Sequence, residues 1–473
     1  MIKKVFLLLF VALCLGVCAV PSVGMLFAPS DEPVGNEKKT ELPSLTDSKG
    51  SINTNYPSEL GGYFEKHFAF RPLMIGADAR IQSGLFGVSN TESVTVGSDD
   101  WLYYTSTLDD YQGKNQLSDR ELNGAAHNLR LIQDYVRSKG ADFLFTCAPN
   151  KNTLYPQHMP YYITKASNRH NRDRLAAVLS SYGVNYADLF EAFRKQDETL
   201  YFERDSHWNN KGALLAYNTL LDALDKPHDD YSAAQVTRKK DFVGDLSKML
   251  YPDGSEPEYD SDYGTQSRFD YVTPTKSVEE SFIKTGSADG SGSLLMYRDS
   301  FGNSLLPFMA SAYKNAAFTK AFPILLESNL LSTKADTFVI ELVERNLNWL
   351  VTSPPLIPSP EVTAVKAKSI EKDSTVTARQ NEFMPAYLEL TCEVERSLLT
   401  EDSVIYLSVT DPQGGTKTYE CFTLADKNGR GVFSAYINTA APVAPGSEWT
   451  AAVTVKNGKT LTALKPVKVL VEE

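Results

Sequence analysis

Apolar residues in the middle of this chain come in two rhythms. Short unbroken runs alternate with longer stretches in which apolar positions recur every three or four residues. The first pattern suits buried strands, the second the helices that pack on them. The runs Asp142-Phe143-Leu144-Phe145-Thr146-Cys147, Ser293-Leu294-Leu295-Met296-Tyr297 and Thr337–Val343 predict buried strands; 184–187 and Thr199-Leu200-Tyr201-Phe202 predict shorter ones. Ser118-Asp119-Arg120-Glu121 is a capping box that opens a helix reaching about residue 139, with Gly140 placed to end it. Further helices are expected over about 171–182, before Gly183, and over about 210–224. Another follows Ser300; with Asn303 as its N-cap, Pro307 falls in the first turn, where a missing N–H costs little. This alternation predicts an α/β fold, a parallel sheet flanked by helices, with ligands expected beyond the C-terminal ends of the strands.

The rhythm changes near Trp349. Pro354-Pro355-Leu356-Ile357-Pro358-Ser359-Pro360 reads as a stiff linker. Beyond it, 386–395, 404–409, 416–424, 431–437 and 449–455 are rich in β-branched and aromatic residues. Turn signals such as Asp411-Pro412-Gln413-Gly414-Gly415 and Lys427-Asn428-Gly429 separate them, which predicts an all-β, sandwich-like module with most of its aromatics in the core. At the other end, Met1-Ile2-Lys3-Lys4 precedes an almost wholly apolar run over 5–19 that stays mostly apolar to Ala28. Lysines ahead of such a run keep the N-terminus in the cytoplasm and send the rest outward. The run can cross roughly 30 Å of hydrocarbon, so an uncleaved anchor is favoured over a cleaved signal, although Pro21 interrupts it. Val17 is large for the position before a lipidated cysteine, which disfavours a lipid anchor at Cys18. The expected organisation is a signal or membrane anchor at 1–28, a tether at 29–57, an α/β catalytic domain at 58–352, a Pro-rich linker at 353–360 and the β-sandwich-like module at 361–473, with the bulk of the protein extracytoplasmic, at the cell surface.

Composition narrows the function classes. The 473 residues are 42% hydrophobic, enough for a full core, and carry a net charge of −12 without any basic stripe, which argues against a nucleic-acid partner. The five cysteines form no CxxC and no His/Cys cluster of metal spacing, so neither a metal nor a cofactor is expected. Cys147 reads as a buried hydrophobe in its strand. Cys392 and Cys421 are free to pair in an oxidising exterior, a pairing that spacing alone does not decide.

Two stretches at expected strand ends carry chemistry. In Glu203-Arg204-Asp205-Ser206-His207-Trp208-Asn209, a carboxylate two residues before a histidine can fold back onto the ring, fix its tautomer and stabilise the imidazolium formed in proton transfer. In Tyr297-Arg298-Asp299-Ser300-Phe301-Gly302-Asn303, a serine stands between a buried strand and a helix, where the helix N-terminus favours developing negative charge. Alone, an Asp-x-His is more often an ordinary loop pair and a serine before a helix an ordinary cap. Their joint occurrence at the strand ends of one α/β domain is what singles them out.

These stretches, with Tyr63-Phe64-Glu65-Lys66-His67-Phe68-Ala69-Phe70-Arg71, Gly97-Ser98-Asp99-Asp100-Trp101-Leu102-Tyr103-Tyr104 and Glu344-Arg345-Asn346-Leu347, resemble the DHHW family. That family is similar to the alginate O-acetyltransferases AlgJ and AlgX within the SGNH-hydrolase-like group. The resemblance covers roughly 56–350 and implies an SGNH-hydrolase-like sheet with Asp205, His207 and Ser300 as a catalytic triad. It implies an O-acetyltransferase that passes an acetyl group through acyl-Ser300 to a hydroxyl of an extracellular or cell-wall polysaccharide. The implied donor partner is a membrane-bound acyltransferase of the MBOAT type. A carbohydrate acetylesterase with the same triad, and a non-catalytic polysaccharide-binding or assembly protein, are the alternatives. The sequence departs from the family at Ser206, where the family name implies His and where the side chain is expected to face away from the Asp/His pair. It departs again at Arg298, where many SGNH enzymes have Gly. The backbone N–H groups of Ser300 and Phe301 are the natural oxyanion donors. Asn150 and Lys151, in a loop ending a neighbouring strand, and Tyr155, Arg298 and Arg345 complete the candidates for oxyanion or substrate contact. His67 has a bland reading as a core or capping residue. Trp101, Tyr103 and Tyr104 are candidates for stacking on sugar, at least one of them expected in the core.

Overall fold

The apolar runs set the strands of the computed structural model, which describes residues 2–25, 27, 29–30, 40–46, 49–322, 325–353, 356–363 and 366–472. Much of the expected tether (31–39 and 47–48), Pro354 and Pro355 of the linker, and the side chain of Cys18 lie outside the described residues. In chain order come a hairpin of β1 (Val94–Val96) and β2 (Leu102–Tyr104), then β3 (Asp142–Ala148) and β4 (Tyr186–Ala187). A separate ribbon of β5 (Thr237–Phe242) and β6 (Glu258–Asp262) follows, and then β7 (Asp270–Tyr271), β8 (Phe282–Gly286), β9 (Ser293–Tyr297), β10 (Asn315–Thr319) and β11 (Thr337–Val343).

Seven strands join in the order β4-β3-β11-β9-β10-β8-β7. From β4 to β10 the pairing is parallel, whereas β8 and β7 add antiparallel at one edge. The sheet is therefore mixed and not wholly parallel as expected. The connection from β7 to β8 holds no helix, and neighbouring parallel strands need a crossover of a dozen or more residues. β11 is buried along its whole length and divides two cores by alternation: Phe338, Ile340 and Leu342 pack on one side, Val339 and Val343 on the other. Cys147 lies in the first of these cores as a hydrophobe.

The helices start and stop on the expected signals. Ser118 Oγ accepts the Glu121 N–H at 3.2 Å while the Glu121 carboxylate accepts the Ser118 N–H at 2.8 Å, opening Asp119–Ser138. Asn209 caps Asn210–Ala223 by accepting from Lys211 and Gly212. Two expectations differ. Thr199-Leu200-Tyr201-Phe202 is no strand, only an isolated bridge between Tyr201 and Trp208, because the returning chain satisfies its backbone instead of a sheet neighbour (Asn209 N–H to Leu200 C=O, 2.9 Å). The helix after Ser300 begins at Gly302 with Phe301 in the cap position, so Pro307 sits inside it and beyond the first turn. Asn303 does not cap; its side chain is taken by Arg298 and Glu279.

Toward the N-terminus, α1 (Ile2–Gly24) contains a stretch, Lys3–Gly24, long and apolar enough to cross a membrane. It is followed by α2 (Tyr56–His67) and α3 (Arg71–Ile81), the latter running into a π-helical turn, Gln82–Phe86. Beyond the sheet, the C-terminal region is all strand: β12 (Glu361–Val362), β13 (Lys368–Ser369), β14 (Thr375–Gln380), β15 (Tyr387–Glu395), β16 (Val404–Thr410), β17 (Thr416–Glu420), β18 (Phe422–Lys427), β19 (Arg430–Asn438), β20 (Glu448–Asn457), β21 (Thr460–Ala463) and β22 (Val467–Glu472). They order as β12-β17-β16-β20-β22-β14-β15-β19-β18, with β22 joining the two halves and β21 at the side of β20. Cys392 and Cys421 are free, buried thiols in its core.

This region is not held off by a spacer. Leu356 and Ile357 of the supposed linker are buried in the same core as Leu129 and Ile132 of the helix Asp119–Ser138 and Tyr387, Phe422 and Tyr436 of the strands. Buried Asn128 donates to the Leu350 and Thr423 carbonyls, each at 2.8 Å, and accepts the Thr423 N–H at 2.9 Å.

Candidate functional site

Ser300 leaves the sheet at the C-terminal end of β9, between β11 and β10. His207 comes from a loop outside the sheet. The two meet with Ser300 Oγ 2.8 Å from His207 Nε2. On the other side of the ring, His207 Nδ1 lies 2.7 Å from Asp205 Oδ1, which also accepts the His207 N–H at 2.8 Å. The second carboxylate oxygen of Asp205 accepts the Asp245 N–H at 2.7 Å. Asp205 is buried and His207 keeps a fifth of its side chain exposed. Burial works against the Asp205 charge, but the hydrogen bond and charge of His207 and the Asp245 N–H outweigh it and hold the carboxyl down at about 2. Burial also works against the imidazolium, yet Asp205, and then Asp245, outweigh it and raise the His207 pKa above the ordinary histidine value. A carboxylate, an imidazole and a hydroxyl in this order can move a proton off the hydroxyl and keep the resulting charge pair stable.

Two neighbours of this relay escaped sequence reasoning. Ser206 does not face away, as expected, but lies between Asp245 and His207: its Oγ donates to Asp245 Oδ2 at 2.6 Å and sits 3.2 Å from His207 Nδ1. Asp245, at the start of the helix Asp245–Leu250, also accepts the Ser206 N–H at 2.8 Å and lies 3.8 Å from His207 Nδ1. No spacing links it to the Asp-x-His stretch; an acid at a helix start after a glycine was the one available signal. Asp205, His207 and Asp245 offer ligand atoms within 4.8 Å of one another. Both ring nitrogens and both Asp205 oxygens are already engaged, so the hydrogen-bond relay accounts for the cluster without an ion.

The turn carrying Ser300 is held from beneath. Asp299 accepts the Phe301 N–H at 2.9 Å and the Val343 N–H at 2.7 Å, and its own N–H donates to Glu341 at 3.1 Å. Glu341 is wholly buried; burial and the adjacent Asp299 charge push its carboxyl well above the usual range. The Phe301 N–H is therefore occupied and is not the free oxyanion donor expected. The Ser300 N–H has no acceptor among the described residues.

The other candidates separate into struts and Arg345. Arg298 is buried and donates to the Val278 carbonyl at 2.6 Å and to Asn303. Asn150 donates to Asp110 at 3.1 Å, and its N–H goes to Glu344 at 3.0 Å. Lys151, which burial lowers to about 7, donates to the carbonyls of Glu203 (2.7 Å) and Asp205 (2.8 Å), pinning the histidine loop from below. The Tyr155 hydroxyl accepts the Leu200 N–H at 2.8 Å. The hydrogen bonds these four make go to the protein, not to the space beside Ser300. Arg345 differs. Its guanidinium lies 5.9 Å from the Phe301 ring and 5.4 Å from the Tyr104 ring, its charge is felt at His207, and it has no hydrogen bond or ion pair among the described residues. Trp101 and Tyr103 are buried, Trp101 stacked on His158 at 4.4 Å, which leaves Tyr104 as the half-exposed ring of that stretch. His67 is buried and stacked on Tyr63.

Residues 94–287 match the family model described as an SGNH hydrolase-like domain, acetyltransferase AlgX. The match takes in Asp205 and His207 and ends before Ser300. Among solved structures, the chain is similar to PatB1 of Bacillus cereus, at 16% identity over 54% of this chain and 96% of that one, with a TM-score of 0.44. It is similar to a DHHW family protein from Eubacterium siraeum, at 16% identity over 47% and 85%, TM-score 0.38. It is similar also to AlgX of Pseudomonas aeruginosa, at 14% identity over 72% and 86%, TM-score 0.36. Comparison with curated proteins gives no match. Residues 94–287 thus match an SGNH hydrolase-like model, with a strand-rich region after them and an apolar helix before them.

Proposed function

We propose that Ser300 is the nucleophile, His207 the base and Asp205 its orienter in an O-acetyltransferase acting on an extracellular or cell-wall polysaccharide. The observation that carries this reading is the unbroken relay from Asp205 through His207 to Ser300, with contacts of 2.7 and 2.8 Å. In the first half-reaction His207 Nε2 takes the Ser300 proton while Oγ attacks the acyl carbon of the donor. The tetrahedral oxyanion faces the unengaged Ser300 N–H and the Arg345 cation; His207 returns the proton to the leaving group, and acetyl-Ser300 remains. In the second, a sugar hydroxyl gives its proton to His207 and attacks the acetyl carbon, and Ser300 recovers its proton as the sugar ester departs. Partial exposure of Ser300 beside a part-exposed imidazole lets a polymer hydroxyl reach it. The family resemblance supplies the donor side, a membrane-bound acyltransferase of the MBOAT type that hands acetyl groups across the membrane, and α1 would keep the domain beside it on the extracytoplasmic face. The domain limits at 58–352 and 361–473 belong to this reading.

The test is intact-mass spectrometry of the protein after reaction with an activated acetyl ester, followed by addition of oligosaccharide or of water alone. One acetyl group on Ser300, transferred to the sugar, is the expected result. Discharge to water only would make the protein an esterase, and no adduct with undiminished polymer acetylation by Ser300→Ala in cells would sink the assignment.

A further inference from the structure

α3 has two faces of opposite character. One is built against the domain. A Cβ on Gly76 would lie 1.8 Å from Asp253 Oδ1, and Ala79 is fully buried in a small core with Val94, Leu246 and Leu250. Arg80 binds the Asp253 carboxylate at 2.8 and 2.9 Å, and Ser83 Oγ lies 2.9 Å from the Tyr251 hydroxyl. The opposite face carries Phe70, Leu73, Met74, Ile81 and Leu85, spaced at three, four or seven residues so that they fall on one stripe. All are exposed, Leu73 by 58% and Leu85 by 75%. On α2, Leu60 and Phe64, one turn apart, are exposed as well. A contiguous apolar surface of this kind marks a docking face.

The course of α1 identifies what covers it. Its apolar stretch is unburied along the window that qualifies it as a membrane span, and among the described residues it meets the rest of the chain at its last turn. There the Ala69 N–H donates to the Pro21 carbonyl at 3.2 Å, the Ser30 N–H donates to the His67 carbonyl at 3.0 Å, and a Cβ on Gly24 would lie 2.8 Å from Ala69 Cβ and 3.7 Å from the Phe70 ring. The helix is thus clipped to the corner between α2 and α3, at the residue that begins the exposed stripe. A helix of this length can cross roughly 30 Å of hydrocarbon; if it serves as the anchor proposed above, its clipped end, and the corner with it, stand at the bilayer surface.

We infer that the corner of α2 and α3 lies in the interfacial layer of the membrane that α1 enters, with the stripe from Phe70 to Leu85 seated among lipid headgroups and the first methylenes. Because the inner face of α3 is locked to the domain, this docking fixes the orientation of the domain on the membrane. The same helix and its turn form part of the wall of a cavity of about 720 Å³ that Arg204, adjoining Asp205, also lines.

The test uses the full chain in phosphatidylcholine–phosphatidylglycerol vesicles with or without brominated acyl chains. Leu73→Trp and Leu85→Trp are compared with Tyr161→Trp at a site that is 94% exposed, after subtraction of the parent protein's fluorescence. Brominated lipid is expected to remove most of the added fluorescence at positions 73 and 85 and none at 161, and aqueous iodide to do the reverse. Two results overturn the inference: added tryptophans at 73 and 85 quenched by iodide and blind to bromine, which puts the face in water, or blind to both quenchers, which puts it against protein. Equal bromine quenching at all three positions also overturns it, as unspecific collapse onto lipid.

Discussion

The two halves of the site are held in place by different means. Ser300 sits on a turn whose path is fixed by the sheet: β9 runs between β11 and β10, and Asp299 ties the turn to the N–H of Val343 on β11. His207 sits in a loop with no strand on either side. That loop is held largely by polar side chains, with Glu258 accepting the Glu203 and Arg204 N–H groups at 2.7 and 2.9 Å, Lys151 taking two carbonyls, Asp245 accepting the Ser206 N–H and Asp205 the His207 N–H. A serine placed by the sheet inherits its position from the fold's core. A histidine placed by a network depends on each charge in that network, so single polar substitutions should disturb His207 far more than Ser300.

The largest effect falls on the sheet-borne half, where chemistry and not placement is removed. Ser300→Ala is expected to lower acetyl transfer by on the order of 10³-fold or more without changing the melting temperature. Asp205→Asn should cost on the order of 10²- to 10⁴-fold, because the ring loses both its orienter and the charge that supports the imidazolium. The pH profile separates the two. In the proposed mechanism His207 accepts a proton only when neutral, so with its pKa raised the rate is expected to fall as pH drops through a midpoint above the ordinary histidine value. In Asp205→Asn the chief raising influence is gone while burial remains, and the residual activity should lose its acid limb to lower pH. An unmoved limb would break the link between Asp205 and His207.

Asp245→Asn tests the network at one remove. The Asp245 N–H still reaches Asp205, so the substitution takes away charge and leaves most of the geometry. A loss of about tenfold is expected, with the acid limb moving down by less than in Asp205→Asn, since Asp245 is the smaller influence on His207.

How far the sequence foretold this follows the same division. Strand β9, strand β11 and the capped helices were legible because each rests on local signals: an unbroken apolar run, or a cap and its partner three residues on. The approach of Asp205 to His207 was legible for the same reason, being a contact between residues two apart. Ser206 was misjudged and Asp245 missed because their meeting is made by tertiary packing, bringing together positions whose spacing carries no pattern. Asn150, Lys151 and Arg298 drew attention as polar residues at strand ends, yet they lie deep enough that each needs an internal partner. The mixed edge of the sheet and the buried Leu356 and Ile357 were hidden too, since a proline-rich stretch looks the same in sequence whether it spans solvent or packs.

Under the turn that carries Ser300 the prediction concerns stability. Glu341 is wholly buried with its carboxyl pushed well up by burial and by Asp299, so it binds a proton that the unfolded chain releases. A raised folded pKa means stability that is full below the unfolded glutamate value and lost as pH rises toward the folded one. Glu341→Gln keeps the shape and removes the titration. At acidic pH the variant should lie within about 1 kcal/mol of the parent protein, and denaturant melts should show it overtaking the parent as pH rises. A parent and variant with parallel stability curves would mean that Glu341 is already ionised in the fold.

The smallest expected effect is at Ser206, and it bears most directly on the contrast between the halves. Its Oγ holds Asp245 Oδ2 at 2.6 Å and stands 3.2 Å from His207 Nδ1, while Asp245 itself is 3.8 Å from that nitrogen. Ser206→Ala removes one hydrogen bond, about 1 kcal/mol, so a loss of roughly fivefold or less is expected. The direction of the pH shift is the sharper readout. With the hydroxyl gone, Asp245 is free to approach Nδ1, and a nearer carboxylate raises the histidine further, so the acid limb should move up, opposite to its movement in Asp245→Asn. Limbs that move the same way in both variants would mean that Ser206 and Asp245 act on His207 as one rigid unit, and that the base is held by a frame as stiff as the sheet that holds Ser300.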